Sequence, residues 1–114
     1  MKVLKSSLRQ RNRYIVFSIA CEKSLDRKKV VAGVWEHLLR FYGQVGVSKT
    51  SLWVMDWDPQ TSYGIIKVNH GSQDLVASTL PLIANISGYK VAFRTVYVSG
   101  TLRKARQMLK KRIL

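Results

Sequence analysis

The chain has 114 residues, enough for one domain with its own core, because a chain of this size buries roughly 65% of its unfolded surface. Lys and Arg number 20 against 6 acidic residues, and the formal charge of +14 indicates a polyanionic partner. A hydrophobic content of 46% argues against a disordered tail, and the apolar runs fall far short of the roughly 20 residues of a membrane span.

The N-terminal stretch MKVLKSSLRQRNR contains five cations and no acid, yet it lacks the apolar segment of a secretory signal. We therefore predict a flexible basic arm over residues 1–12 and a single domain over residues 13–114. The only cysteine, Cys21, has no partner for a disulfide or a zinc site, which favours a reducing, cytoplasmic environment.

The first half of the domain predicts a strand, a helix and a hairpin. YIVFSIAC, from Tyr14 to Cys21, has the β-branched and aromatic content of a strand. The apolar spacing that follows predicts a helix that is capped by Ser24 and ends at Gly43. Two further strands, about 52–57 and 63–69, are joined by the turn-forming DPQT.

The second half predicts another helix, a strand and a basic terminal helix. Apolar residues recur at helical spacing from Ser72 to Ile86, although Pro81 should kink the helix. YKVAFRTVYVS is a strand, and Thr101 caps the helix that follows it. The fold class is α+β, a ferredoxin-like or RRM-like βαββαβ sandwich with a four-stranded antiparallel sheet, two helices on one face and the other face open.

Candidate catalytic groups are few. His37 and His70 fall on different predicted elements, so neither is favoured as a general base. Asp56 and Asp58 have a spacing that could hold a hydrated magnesium ion, but Pro59 marks them as turn residues. We expect no catalytic residues, no metal site and no cofactor on this chain.

Nucleic acid is the natural polyanion for such a domain, but RNA recognition motifs stack bases on aromatics in their first and third strands. Here Tyr14 and Phe17 are three apart and point to opposite faces, and the third strand has only Tyr63. We therefore expect binding through phosphates and shape. The candidate residues are Arg11, Arg13, Lys67, Arg94, Arg103, Lys104, Arg106, Lys110, Lys111 and Arg112.

The terminal helix should place Leu102, Ala105, Met108, Leu109 and Ile113 against the fold and its cations toward RNA; the alternative is a solvated basic tail. Around the hairpin, Trp53, Trp57 and Tyr63 predict an aromatic protein contact on the open sheet face. Alternatively, these rings complete the core.

Three stretches carry a resemblance to a known family: RYIVFSI, VWEHLLRFYGQVGVSKTSLWVMDWDPQTSYGIIKVNH and YKVAFRTVYVSGTLRKAR. Together they resemble the ribonuclease P protein component 2 family of archaea, which is related to the eukaryotic Pop-five subunit. The similarity runs from about Arg13 to the C-terminus, and the sequence departs from the family pattern at Pro81 and in its longer basic arm.

The resemblance implies a subunit of the ribonucleoprotein that removes the 5′ leader of precursor tRNA. In that enzyme the RNA holds Mg²⁺ and performs the hydrolysis, so this chain would have no active site and would meet precursor tRNA only indirectly. The implied partners are ribonuclease P RNA and the TIM-barrel-like protein component 3, with a component 2 homodimer inside a heterotetramer and no membrane. The rival functions are a ribosome-associated RNA-binding protein and a small metal-dependent nuclease that uses Asp56 and Asp58.

Overall fold

The computed structural model describes residues 11–113, with side chains up to Arg112. Its helices and strands are β1 (Asn12–Ala20), α1 (Arg27–Ser48), β2 (Trp53–Asp58), β3 (Tyr63–Asn69), α2 (Gln73–Thr79), β4 (Asn85–Ile86), β5 (Tyr89–Lys90), β6 (Ala92–Ser99) and α3 (Leu102–Ile113). The basic arm predicted for residues 1–12 lies outside this range, apart from Arg11 and from Asn12, which begins β1. No helix within residues 11–113 is long and apolar enough to cross a bilayer.

The main sheet has four antiparallel strands in the order β2-β3-β1-β6, so the two strands of the hairpin lie on one side of β1 and the last strand lies on the other. This order and the intervening helices confirm the predicted ferredoxin-like βαββαβ fold. The strands β4 and β5 form a separate two-stranded hairpin.

Alternation along the strands produces the main core on the face that α1 and α2 cover. Ile15, Phe17 and Ile19 of β1 point to this face and are almost fully buried. On β3, Ile66 and Val68 join them, because side chains that lie opposite one another in the register share a face. The result is one continuous apolar layer between the sheet and the two helices.

The predicted N-cap of the first helix is wrong, whereas the predicted break at Gly43 is present. Asp26, not Ser24, caps α1, since its Oδ1 accepts a hydrogen bond from the backbone N–H of Lys29 at 2.9 Å. The Ser24 hydroxyl instead donates to the carbonyl of Pro59 at 3.0 Å. Gly43, with a φ of 72° and a ψ of 175°, breaks the helical backbone where the sequence predicts the stop, and a second short helical segment then continues to Ser48.

The second helix is shorter than its apolar spacing predicts. It ends at Thr79, and a 3-10 turn that contains Pro81 follows it. Proline lacks a donor for the next helical hydrogen bond, so the chain leaves the helix there. The buried Ile83 and Ile86 therefore come from an extended segment that turns back at Gly88, whose φ is 84°.

The second face of the sheet is not left open, in contrast to the prediction. Helix α3 packs on it over a small cluster in which Val16 of β1, Ile65 of β3 and Ala105 of α3 are fully buried. Tyr14, Met55 and Tyr97 border this cluster. The terminal helix is thus a third layer of the fold that leaves only part of this face accessible.

Candidate nucleic-acid interface

Helix α3 is amphipathic, as predicted, with one side packed on the sheet and its cations exposed. The Thr101 hydroxyl accepts a hydrogen bond from the backbone N–H of Lys104 at 3.2 Å and so caps the helix. Ala105 is fully buried, and Leu102, Met108 and Leu109 are half-buried along the same side; Ile113 lies outside the described side chains. The exposed residues include all six cations: Arg103, Lys104, Arg106, Lys110, Lys111 and Arg112.

One of these cations is already paired with a carboxylate of the sheet. The guanidinium of Arg106 donates two hydrogen bonds to Asp56 on β2, from Nε at 2.9 Å and from Nη2 at 3.0 Å. The hydrogen bond to Asp56, followed by its charge, raises the pKa of Arg106. This contact joins α3 to a residue 50 positions earlier in the chain and holds the helix across the hairpin.

The ion pair between Asp56 and Arg106 bears on whether Asp56 and Asp58 could bind a metal ion. Asp56 accepts from Arg106, while Asp58 accepts from the backbone N–H of Gln60 and the hydroxyl of Thr61, both at 3.0 Å. Both carboxylates therefore have roles within the fold. Within residues 11–113, no three His, Cys, Asp or Glu side chains form a group that could hold a metal ion.

The histidines also lie apart in the fold. A ring nitrogen of His37 lies 2.8 Å from the carbonyl of Gly33 one turn earlier in α1. His70 is exposed at the end of β3, and its backbone N–H donates to the carbonyl of Arg11. The two histidines therefore belong to different elements, His37 to α1 and His70 to the turn after β3.

The other predicted RNA-binding residues divide between two places. Lys67 and Arg94 point to the sheet face that α3 covers, because Lys67 lies opposite Tyr14 and Arg94 lies opposite Ser18 in the register. Arg13 lies opposite the buried Val68, and its guanidinium donates to the carbonyl of Asn12 at 3.1 Å. Most of the candidate cations therefore share the α3 side of the molecule.

The three predicted interface aromatics do not form one cluster, because a bulge in β2 separates them. Trp53 lies opposite Lys67, whereas Trp57 lies opposite Gly64 and so points to the other face. Trp57 stacks on Phe17 with ring centroids 5.8 Å apart, and its indole N–H donates to the carbonyl of Leu25 at 2.8 Å. This placement favours the interpretation in which the Trp57 ring completes the core.

Trp53 is the exposed member of the three, with 58% of its surface accessible on the edge strand β2. It borders a shallow groove together with Arg27, Val31 and Trp35 of α1. Tyr63 is half-buried at the opposite end of the hairpin. An interface role for Trp53 therefore stays a prediction, on a surface separate from that of Tyr63.

Sequence reasoning missed two features of this surface. The sequence favours Asp56 as a turn former over a metal ligand, and only the fold shows that it pairs with Arg106. The small residues Ser18, Ala20 and Ala92, which line a groove beside Tyr63 and Arg94, carry no motif of their own. Their proximity depends on the strand register, which local sequence patterns do not specify.

Comparison with known proteins relates this fold and surface to a family. The Rpp14/Pop5 family model matches residues 13–110. The ribonuclease P protein component 2 of Pyrococcus abyssi is 32% identical over 114 residues, which cover 100% of this chain and 93% of the relative. The protein of the same name from Methanocaldococcus jannaschii is 34% identical over 106 residues, which cover 93% of this chain and 78% of the relative.

A solved structure shows the same fold. A chain of the cryo-EM structure of yeast ribonuclease MRP matches with a TM-score of 0.68 at 20% identity, over 91% of this chain and 89% of that chain. The family match covers the sheet, α1, α2 and most of α3, and it confirms the resemblance that the sequence motifs indicated. The chain belongs to the Rpp14/Pop5 family, together with the archaeal ribonuclease P protein component 2 relatives that it matches along its length.

Proposed function

We propose that this protein is a non-catalytic subunit of ribonuclease P, the ribonucleoprotein that removes the 5′ leader of precursor tRNA, and that it stabilises the catalytic RNA through α3. Family membership and the component 2 relatives support the subunit assignment. They also favour it over a ribosomal role, which would share the small size and the positive charge. A cytoplasmic location is part of the same proposal.

The single observation that carries the RNA-binding role is the fixed cationic surface of α3. Residues 102–113 contain six cations and no acid. Of these cations, only Arg106 forms an ion pair with another residue in the described part of the chain. The other five, Arg103, Lys104, Lys110, Lys111 and Arg112, are exposed to solvent.

Rigid attachment makes this surface more effective than a solvated tail. The buried side of α3 packs on Val16 and Ile65, so its cations have little backbone entropy left to lose on binding. Compact RNA concentrates negative charge, and each phosphate that a cation neutralises releases condensed counterions. The helix therefore favours the folded form of the RNA without any chemistry of its own.

The protein partners belong to a second part of this proposal. The resemblance implies the TIM-barrel-like component 3 and a homodimer within a heterotetramer. Trp53 on the edge strand offers a large apolar anchor, and Phe41 and Val45 are exposed on either side of Gly43, at 47% and 70%. Phe41 and Val45 belong to α1, on the other side of the sheet from α3, so a protein contact there leaves the cations of α3 free for RNA.

The test is to purify the chain from its native source under mild conditions and to sequence the RNA that accompanies it. We expect ribonuclease P RNA, and we expect the chain to restore cleavage of precursor tRNA in a mixture with that RNA, the other protein subunits and Mg²⁺. The chain without the RNA should not cleave. Enrichment of ribosomal RNA, or cleavage by the protein alone, would overturn the assignment.

A further inference from the structure

An open groove lies beside α3 on the same face of the sheet. It is lined by Ser18, Ile19, Ala20, Thr61, Tyr63, Ala92 and Arg94, and no residue of α3 contributes to it. These residues come from the ends of β1, β3 and β6 and from the turn between β2 and β3. The groove is thus a part of this sheet face that the terminal helix leaves accessible.

The strand register sets the shape of this groove. Ser18 of β1 lies directly between Tyr63 of β3 and Arg94 of β6. Neighbouring strands are about 4.8 Å apart, so the backbones that bear the ring and the guanidinium are roughly 10 Å apart. Ala20 and Ala92 form the next row of the same face. The groove therefore has a floor of small side chains between an aromatic ring and a cation.

The chemistry of the two sides is different. Tyr63 is half-buried, so part of its ring faces the groove, and its hydroxyl has no hydrogen-bond partner among the described residues. Arg94 is exposed and forms no ion pair within that part of the chain. On the Tyr63 side, Asp58 lies opposite Tyr63 and accepts two hydrogen bonds from its own turn. An anion would therefore bind at Arg94.

We propose that this groove binds one unpaired nucleotide of an RNA strand, with the base stacked on Tyr63 and a phosphate at Arg94. The inference rests on the RNA-binding role proposed above and adds a contact of a different kind. Every base has a π-face, so an aromatic ring beside a cation binds single-stranded RNA with little sequence preference. A protein partner would favour a large apolar surface, whereas here the floor consists of Ser18 and two alanines.

The test uses the full chain with two fluorescent probes, six-residue single-stranded RNA of adenosine and an oligomer of the same length whose sugars carry no base. Affinity is measured by anisotropy over a series of KCl concentrations. The variants are Tyr63→Leu, Tyr63→Phe and Arg94→Gln. The matched control is Arg40→Gln, which removes one exposed cation from α1 on the far side of the sheet.

We expect Tyr63→Leu to weaken binding of the adenosine oligomer about 5- to 100-fold, to leave its salt dependence unchanged and to leave the abasic oligomer unaffected. Arg94→Gln should lower the slope of log affinity against log salt by about 0.7 with both probes. Tyr63→Phe keeps the ring and should bind as the wild type does. Arg40→Gln should leave both affinities nearly unchanged.

If Tyr63→Leu does not fold, a measurement on the wild-type protein still tests the proposal. The adenosine oligomer should shift the Tyr63 ring resonances upfield in NMR spectra, and the abasic oligomer should not. Unshifted ring resonances, or equal losses with both probes, would overturn the proposal. So would a Tyr63→Leu protein that binds RNA normally but no longer assembles with the other ribonuclease P proteins.

The two proposals fail in distinguishable ways. If Tyr63 proves irrelevant while removal of the α3 cations still weakens binding of ribonuclease P RNA, the groove proposal is wrong and the subunit role stands. If neither the structured RNA nor the oligomers bind, the RNA-binding role itself is wrong.

Discussion

Gly64 shows how one residue decides the packing of the hairpin. It lies opposite Phe17 on one neighbouring strand and opposite Trp57 on the other. A Cβ at this position would come within 2.7 Å of the Phe17 ring and of the Asp56 carbonyl oxygen. The missing side chain lets Phe17 stack between Trp57 and Phe93, at centroid distances of 5.8 and 5.7 Å. The glycine at position 64 is therefore a packing requirement.

The two tryptophans of β2 should respond differently to truncation. We expect Trp57→Ala to lower the free energy of unfolding by about 3 kcal/mol, because it leaves a cavity beside Phe17 and removes the donor to the Leu25 carbonyl. Trp53→Ala, at a site that is 58% exposed, should change it by less than about 0.5 kcal/mol. Urea titrations followed by circular dichroism measure both. Equal losses would contradict the assignment of Trp57 to the core.

Asp56 should limit how strongly Arg106 binds RNA, because a carboxylate already occupies its guanidinium. We expect Asp56→Asn to release this cation and to steepen the salt dependence of binding to ribonuclease P RNA by up to about 0.9. Arg106→Gln alone should change the slope little, and the double variant should match Arg106→Gln. A slope that falls on Asp56→Asn would mean that loss of the clamp displaces α3.

The pH dependence of this ion pair follows from the raised pKa of Arg106. A cation whose pKa is higher in the folded state contributes stability at every pH below its ordinary value, and that stability is lost only as pH rises through the folded value. Arginine is protonated far above neutral pH and its pKa is raised further here, so the guanidinium stays charged between pH 6 and 9. The difference in unfolding free energy between wild type and Arg106→Gln should stay constant over that range.

At the scale of elements, local sequence patterns correctly predict features that turns and short-range hydrogen bonds determine. The predicted limits of β3, 63–69, are correct, because the preceding turn is fixed by Asp58 and its bonds to Gln60 and Thr61. Helix α2 was predicted too long, because apolar spacing cannot distinguish a helix from an extended buried segment after Pro81. The contacts of α3 with the sheet and the bulge in β2 are long-range or irregular features, and no sequence period encodes them.

Helix α3 acts as one element, so four of its five unpaired cations are removed together. One variant carries four substitutions: Arg103→Gln, Lys104→Gln, Lys110→Gln and Lys111→Gln. It should keep its fold, because these positions are off the buried side of the helix. The slope of log affinity for ribonuclease P RNA against log salt should flatten by roughly 3 to 4 units. A control with Gln at Lys23, Lys28, Lys29 and Lys90 loses the same charge from other exposed positions. Equal flattening in the two variants would mean that net charge alone explains binding.

At the scale of the whole molecule, several acidic residues have structural partners, whereas most cations of α3 have none among the described residues. Of the acidic residues, Asp26 caps α1, Asp58 closes a turn, and Glu36 and Asp56 each pair with an arginine. The cations of α3 other than Arg106 have no such partner in the described part of the chain. Composition alone predicted a polyanionic partner, and the fold adds which side of the molecule would face it. The groove was not predictable, because it depends on which rows of small and large residues the register brings together.

This arrangement predicts how the assembled enzyme should depend on Mg²⁺. If α3 supplies charge that helps ribonuclease P RNA fold, extra divalent ion should replace the cations removed in the four-glutamine variant of α3. We expect that variant, reconstituted with the RNA and the other protein subunits, to need a higher Mg²⁺ concentration for half-maximal cleavage of precursor tRNA. At saturating Mg²⁺ its rate should approach that of wild type, because no catalytic group has been removed.

The control that carries glutamines at Lys23, Lys28, Lys29 and Lys90 should keep the wild-type requirement for Mg²⁺. An unchanged Mg²⁺ requirement in the α3 variant would leave the helix as a structural layer with a solvated basic side, since a cation that meets no phosphate has no charge for Mg²⁺ to replace.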